Sequence, residues 1–329
     1  MGIQFSLGVV LAIAVAALVG AQVKGLQYVL GILLPYAAFA TFLVGFVWRV
    51  LYWAKSPVPF RIPTTAGQEF SLPWIKQAKL DNPSTLPGVL GRMFFEVFLF
   101  RSLFRNTKAE LRSGNLRYGP SKWLWLFALL FHWSFFIIAV RHFRLFMEPV
   151  PGVVQLLDKL DSILQVGAPP LYLTDVFFTL AILFLLGRRF LDAKVRSLSL
   201  PADYFPLFLI LGIAITGILM RFFVRVDIVG IKSILVGLAT FHPTLPDGIG
   251  AIFFVHVAFV STLLAYFPFS KLMHFGGVFL SPTRNLANNN RMVRHVNPWN
   301  YPVKVHTYEA YENEFRDIMK NAGIPVEKE

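Results

Sequence analysis

Four of the seven histidines in this 329-residue chain lie in apolar runs, at spacings that suit the binding of a metal-containing cofactor. His132 and His142 stand ten apart in "FHWSFFIIAVRHF", residues 131–143, and His256 and His274 stand eighteen apart in and beyond a later apolar run. Neutral imidazole is costly to place in hydrocarbon without a partner. One such histidine would ordinarily bond a nearby Ser, Thr or backbone carbonyl. Four of them, two on each of two apolar segments, point instead to two iron ions held by nitrogen pairs, with porphyrin filling the gap between helices. The chain has no cysteine, which excludes disulfides, thiolate catalysis and any cysteine-held zinc or iron–sulfur cluster of its own. Without a CxxCH motif, such haems would be non-covalent, b-type.

The segments that must position these histidines are those of an integral membrane protein. Hydrophobic residues make up 56% of the chain and charged ones 15%, more apolar surface than a soluble domain of this size needs. Six spans are expected, at about 4–23, 27–53, 121–146, 171–191, 203–223 and 249–270. The expected fold is an all-α six-helix transmembrane bundle with two haems stacked between the third and sixth helices. Four regions follow: two N-terminal helices (1–53), a cytoplasmic insert (54–120), a haem-binding region (121–275) and a cytoplasmic tail (276–329). The first 22 residues resemble a signal peptide, but no Lys or Arg precedes their apolar run, so a retained helix is expected. "MGIQFS" also fits the N-myristoylation pattern, which would add little to a polytopic chain.

Six spans place both termini on one side. That side would hold 24 of the 31 Lys and Arg residues, and the other only Lys24, Arg141, Arg144, Lys159, Arg221, Arg225 and Lys232. Basic loops are retained in the cytoplasm, so both termini are expected there, in the cell membrane. The same rule gives the net charge of +13 a cause that needs no nucleic acid.

Sidedness then pairs the histidines. The third span runs outward and the sixth inward, so His142 meets His256 near the outer face and His132 meets His274 near the cytoplasm. Ten helical residues rise about 15 Å and eighteen about 27 Å, so the two helices must tilt or the sixth must bend. Pro268 is placed to bend it.

Other residues are candidates around this core. Arg141, Arg144, Arg221 and Arg225, at outer helix ends, could meet haem propionates or snorkel to lipid phosphates. Gly212 and Gly217 could make room for a porphyrin or for close helix packing. The outer loop offers Glu148, Asp158, Lys159 and Asp161, of which Asp158 and Lys159 are candidates for a quinone site and solvated loop charges are the plain alternative. His242 reads as a solvated loop residue, and His295 and His306 carry no assignment. Within the insert, "GRMFFEVFLFRSLFR" (91–105) is too short and charged to span and reads as an interfacial helix, or as a partner's dock. In the tail, Thr307 can cap a helix over 308–322 whose Tyr308, Tyr311, Phe315, Ile318 and Met319 form one apolar stripe, and Gly323 can end it. Such a stripe suits docking on another polypeptide.

The four histidines, ten and eighteen apart, resemble those of the gamma-subunit (cytochrome b) family of respiratory nitrate reductase, over about residues 27–275. The extra first helix and the tail "SPTRNLANNNRMVRHVNPWNYPVKVHTYEAYENEF" resemble the DsrM family, the cytochrome b subunits of the membrane complex DsrMKJOP in sulfur-metabolising prokaryotes. The resemblance implies two b haems in the pairing above, with menaquinone as substrate. It also implies a cytoplasmic iron–sulfur subunit similar to heterodisulfide reductase, beside further membrane and extracytoplasmic subunits. The expected function is electron transfer between menaquinol or menaquinone and that partner in sulfur-compound respiration, the chain being the quinone-reactive subunit of an oxidoreductase complex. The alternative is a transporter whose intramembrane histidines relay protons.

Overall fold

The computed structural model describes residues 2–56, 67–162, 169–292 and 306–328. Five helices in it are long and apolar enough to cross a membrane: Gly2–Gly20, Lys24–Ala54, Lys122–Leu145, Pro201–Val224 and Ala251–Phe269. Their mean hydropathies run from 1.9 to 2.4. The expected span at 171–191 is the helix Leu173–Leu191, of 19 residues. Asp175, Arg188 and Arg189 in its end turns set it apart from the other five.

The helix Ala251–Tyr266 is the hub of the bundle. Gly2–Gly20, Leu34–Ala54 and Pro201–Ile218 all pack on it, and Leu173–Leu191 joins through Pro201–Ile218 and Lys122–His142. Two cores flank the hub. One gathers Ile32, Ile231, Ile234, Phe253 and Phe254, and the other gathers Val10, Leu209, Val255 and Phe259. The first helix therefore belongs to the body, and Ser6 Oγ donates to Pro201 O at 3.0 Å. The histidine-bearing helix Lys122–Leu145 is the outlier, with 6% of its apolar window buried against 44% for Ala251–Phe269. These two helices do not pack against one another along their length. A slot is left between them.

Two kinds of helix irregularity matter for the site. Pro268 ends the regular helix after Tyr266, and the chain continues through a 3-10 turn, an extended Ser270 and a second 3-10 turn into the short helix His274–Gly277. His256 and His274 therefore do not share one helix face. Gly45 makes the bend possible, because a Cβ there would lie 2.8 Å from Pro268 Cβ. At the opposite end, Leu219–Val224 forms a π-helical turn, followed by Arg225 at φ +50°. One extra residue per turn re-aims the side chains that follow.

The insert is more ordered than its sequence suggests. Thr85 caps a helix Leu86–Leu99, accepting from Gly88 N at 3.4 Å, and Phe100 at φ +50° breaks it from a second helix, Arg101–Arg105. Leu86, Leu90, Phe94 and Phe98 form its exposed stripe, while Val89 and Arg92 face inward. An antiparallel hairpin follows, Thr107–Arg112 paired with Asn115–Pro120. Alternating residues around the two-residue turn Ser113-Gly114 favour it, with both at positive φ. It is the one departure from an all-α fold among the described residues.

Candidate functional site

His132 and His274 come together across the slot, with ring centroids 5.9 Å apart and planes 83° apart. Two imidazoles sharing one metal ion at metal–nitrogen distances of about 2 Å would have centroids roughly 6 Å apart. His132 Nδ1 donates to Ala128 O at 2.7 Å, one helical turn back, and His274 Nδ1 donates to Lys271 O at 2.9 Å. A carbonyl can only accept, so both rings carry their proton on Nδ1 and present Nε2 as a lone pair.

The second pair follows the same rule with one variation. His142 Nδ1 donates to Ile138 O at 2.7 Å. His256 Nδ1 lies 2.8 Å from Thr216 Oγ1, on a neighbouring helix. The Thr216 hydroxyl has carbonyls of Gly212 and Ile213 at 2.8 and 3.1 Å to take its proton, so its oxygen accepts from His256. His142 and His256 are within electrostatic reach of one another. The His142 ring is exposed. Gly217 lies beside His256, since a Cβ there would make an ordinary 3.6 Å contact with His256 Cε1. Gly212 has the other role, because its Cβ would fall 2.8 Å from the Phe259 ring in a close helix contact.

Four imidazoles with Nδ1 committed and, among the described residues, no hydrogen bond to Nε2 are a donor set for metal. No group of three or more His, Asp or Glu side chains gathers around a point among the described residues. Pairs of ligands suit an ion whose remaining ligands come from a planar macrocycle, and the two helices that carry the histidines do not close on one another. The residues present fit b-type haem.

Beside His142 lies a dense polar cluster. Arg141, 6% exposed, has Nε 3.0 Å from Asp161 Oδ2, and its Nη2 donates to Asp175 Oδ1 and Thr174 Oγ1 at 2.9 and 3.1 Å. The buried ring of Tyr172 is sandwiched between the guanidinium groups of Arg141 and Arg221, at 3.6 and 3.9 Å. Such contacts are favourable where water is excluded. The Tyr172 hydroxyl donates to Asp158 Oδ1 at 2.6 Å and accepts from Arg144 Nη1 at 3.2 Å, and Arg144 also bonds Asp158 directly. Arg221 donates to Pro170 O at 3.0 Å, and its buried Nε has no hydrogen-bond partner among the described residues. A cleft of about 340 Å³ opens alongside, lined by Arg144, Val154, Gln155, Asp158, Ile228 and Lys232.

The expected residues thus divide. Arg141 and Arg144 are engaged by carboxylates, Arg221 has an open donor, and Arg225 is exposed. Asp158 lies in the cluster, whereas Lys159 on the same helix is exposed, and Glu148 pairs with Lys232. His242 donates from Nδ1 to Thr240 O at 2.8 Å, His306 lies 3.6 Å from Glu314, and His295 lies outside the described residues. Sequence reasoning missed Thr216, Tyr172 and Asp175. Thr216 was a detectable signal, being a hydroxyl beside a glycine in the middle of an apolar span.

The insert and the start of the tail build a second polar region, at the other end of the molecule. Asn288 Nδ2 donates to Asn82, and Asn288 N donates to Pro83 O at 2.7 Å. Arg92 is 3% exposed here, and Glu69 lies 3.8 Å from Arg291. Beyond it, the helix Tyr308–Asn321 is capped by Thr307, which accepts from Ala310 N at 3.2 Å. Residues 324–328 fold back along it, so that Met319 is buried while Tyr308, Tyr311 and Ile318 stay exposed.

A multi-pass helical membrane protein with histidines gathered in pairs beside a slot defines the class. The chain belongs to the nitrate reductase gamma subunit family, whose model matches residues 85–296. It is also 44% identical, over 278 residues, to the Hdr-like menaquinol oxidoreductase cytochrome b-like subunit of Archaeoglobus fulgidus, covering 82% of this chain and 83% of that one. The protein of the same name from Archaeoglobus profundus is 45% identical over 273 residues, 81% of each chain. The family match begins after the first two apolar helices, while these relatives extend the likeness to most of the chain.

Proposed function

We propose that the chain is a di-haem b membrane subunit that exchanges electrons between menaquinol or menaquinone and a cytoplasmic iron–sulfur partner, in an assembly of the DsrMKJOP kind serving sulfur-compound respiration. The observation that carries this reading is the common state of the four histidines, each with Nδ1 hydrogen-bonded and, among the described residues, no hydrogen bond at Nε2. The menaquinol oxidoreductase named in the two relatives supports the substrate.

His132 and His274 would hold the inner iron, and His142 and His256 the outer. When bound, the haems supply one-electron exchange between the two faces of the membrane. Hydrogen bonds at Nδ1 fix each ring's tautomer and orientation and raise the basicity of Nε2. Arg221, with its open Nε, is the strongest candidate for an outer propionate. Arg141 and Arg144 serve that site by position, holding Asp158, Asp161 and Asp175 as a rigid wall around Tyr172. Quinone would enter by the adjoining cleft, where Asp158 can accept a proton through the Tyr172 hydroxyl. Leu173–Leu191 would be the sixth span, which puts both termini and the insert in the cytoplasm. The exposed stripe Leu86, Leu90, Phe94 and Phe98 then lies in the lipid interface, and Tyr308, Tyr311 and Phe315 anchor the partner.

A visible spectrum of the purified protein tests the reading. Two haems per chain with a reduced b-type band are expected. A folded, colourless chain would overturn it in favour of a structural or transport role.

A further inference from the structure

The insert end holds a buried cation to which no role has been given. Arg92 is 3% exposed, and its Nε and Nη1 have no hydrogen-bond partner among the described residues. The two carboxylates within its electrostatic reach are engaged elsewhere. Asp81 pairs with Arg101 at 3.5 Å and with Arg105, while Glu96 accepts from the Ser102 hydroxyl and, at 3.3 Å, from Ser102 N. Arg284 adds a second positive charge nearby. Burial pulls the Arg92 pKa below the usual guanidinium range, with Glu96 opposing the shift and Arg284 adding to it. Leaving buried guanidinium donors unmade is costly, so the site as it stands calls for an oxyanion.

The surroundings say which one. Arg92 lies midway along the helix Leu86–Leu99. At one end of that helix, Phe98 O accepts from Trp133 Nε1 at 3.0 Å, and the ring of Phe100 lies 4.9 Å from His132. Just before the other end, Pro83 O accepts from Asn288 N at 2.7 Å. The helix thus bridges from the element carrying His132 to the segment that runs on from His274 through Arg284. Both arginines sit on elements that flank the His132–His274 gap. A guanidinium fork matches a carboxylate in two parallel hydrogen bonds.

We infer that Arg92, assisted by Arg284, seats the propionate carboxylates of the inner haem. This rests on the haem reading above. A lipid phosphate offers the same chemistry, and the test separates the two.

The test is a spectroelectrochemical titration of Arg92→Gln, Arg92→Lys and Arg284→Gln in the full chain, with bound phospholipid phosphorus measured on the same samples. Removing a positive charge beside the propionates favours the oxidised form. In Arg92→Gln both haems are expected to remain, with the inner midpoint lowered by about a tenfold change in its reduction equilibrium, about 59 mV for one electron. The outer midpoint should not move, and Arg92→Lys should recover most of the shift. Should Arg92→Gln not fold, Arg284→Gln is expected to give a smaller shift in the same direction. Unchanged midpoints in the folded variants overturn the inference, and if phosphorus is lost with them the seat belongs to lipid. A colourless wild-type protein overturns the haem reading itself, before any variant is made.

Discussion

The two ends of this molecule handle buried charge in opposite ways. At the end carrying residues 141–175, Arg141 and Asp161 are almost wholly buried and paired as ions, with Asp175, Thr174 and Tyr172 around the guanidinium, although the Nε atoms of Arg141 and Arg221 have no hydrogen-bond partner among the described residues. At the end carrying the insert and the tail, charges sit in exposed pairs such as Arg105 with Asp81, while buried donors and acceptors on Arg92, Asn288 and Asn289 have no partner. A matched buried network fixes one geometry and resists change. An unmatched one is ready for groups that arrive later, whether cofactor or polypeptide. The proposed function puts the small-molecule chemistry at the first end and the joining of an assembly at the second.

The largest effects should come from the histidines themselves. Replacing His142 or His256 by Ala is expected to remove one and the same haem, and replacing His132 or His274 to remove the other. Haem content and redox titration would sort the four variants into two classes. If His132→Ala and His142→Ala lost the same haem, the two ends would not be separate sites and the comparison would collapse.

Next in size is the contrast between the ion pairs. Arg141→Ala would strip Asp161 of its ion-pair partner and leave Asp175 only its weaker electrostatic contact with Arg221, a loss of about 3–5 kcal/mol for a broken buried pair. Arg105→Ala removes an exposed pair, with an expected cost under about 1 kcal/mol. Denaturant unfolding of the two variants in the same detergent measures the difference directly. Equal costs would mean that the outer cluster is solvated and is not the rigid wall described here.

A finer test separates the two histidine pairs by their supports. His132, His142 and His274 donate to backbone carbonyls that no substitution removes, whereas His256 relies on the Thr216 side chain. Thr216→Val keeps the shape and deletes the acceptor. Loss of such an outer partner typically lowers affinity about 10- to 100-fold. Haem retention under competition should fall at the outer site alone.

Much of this was legible in the sequence, for identifiable reasons. Long apolar runs mark spans because lipid leaves the backbone no other partner, and five of the expected six have helices that meet the length and hydropathy of a membrane crossing. Leu173–Leu191 falls short only through the charges Asp175, Arg188 and Arg189 in its end turns. Antiparallel helices led to the expected pairing, of which the structure shows the rings of His132 and His274 side by side, and the break at Pro268 lets His274 leave the line of the helix. What stayed hidden depends on tertiary contact. Neither the sandwich of Tyr172 between Arg141 and Arg221 nor the bond from Thr216 to His256 has a periodic signature. The hairpin at 107–120 was also missed, although Ser113-Gly114 is a turn signal, because the flanking strands are too polar to read as core.

The smallest expected effect lies in the tail and asks whether it has a fixed shape before any partner arrives. Glu312 reaches across to the returning chain, accepting from Glu327 N at 2.8 Å and Lys328 N at 2.9 Å, with Arg316 beside it at 3.4 Å. The hydrogen bond from Glu327 N is the main cause that holds the Glu312 carboxyl below its ordinary value of 4.5, and those from Lys328 N and Arg316 add to it. A depressed carboxylate stabilises the folded form at pH above its unfolded pKa and loses that contribution as pH falls through the folded pKa. Amides 327 and 328 should therefore be protected from hydrogen exchange at neutral pH and lose protection well below pH 4.5. Glu312→Gln keeps the shape but weakens the acceptor, so in that variant both amides should exchange fast at every pH. Protection that survives in Glu312→Gln would mean that burial of Met319, and not this carboxylate, holds the return, and the tail would then keep its shape across the acid range.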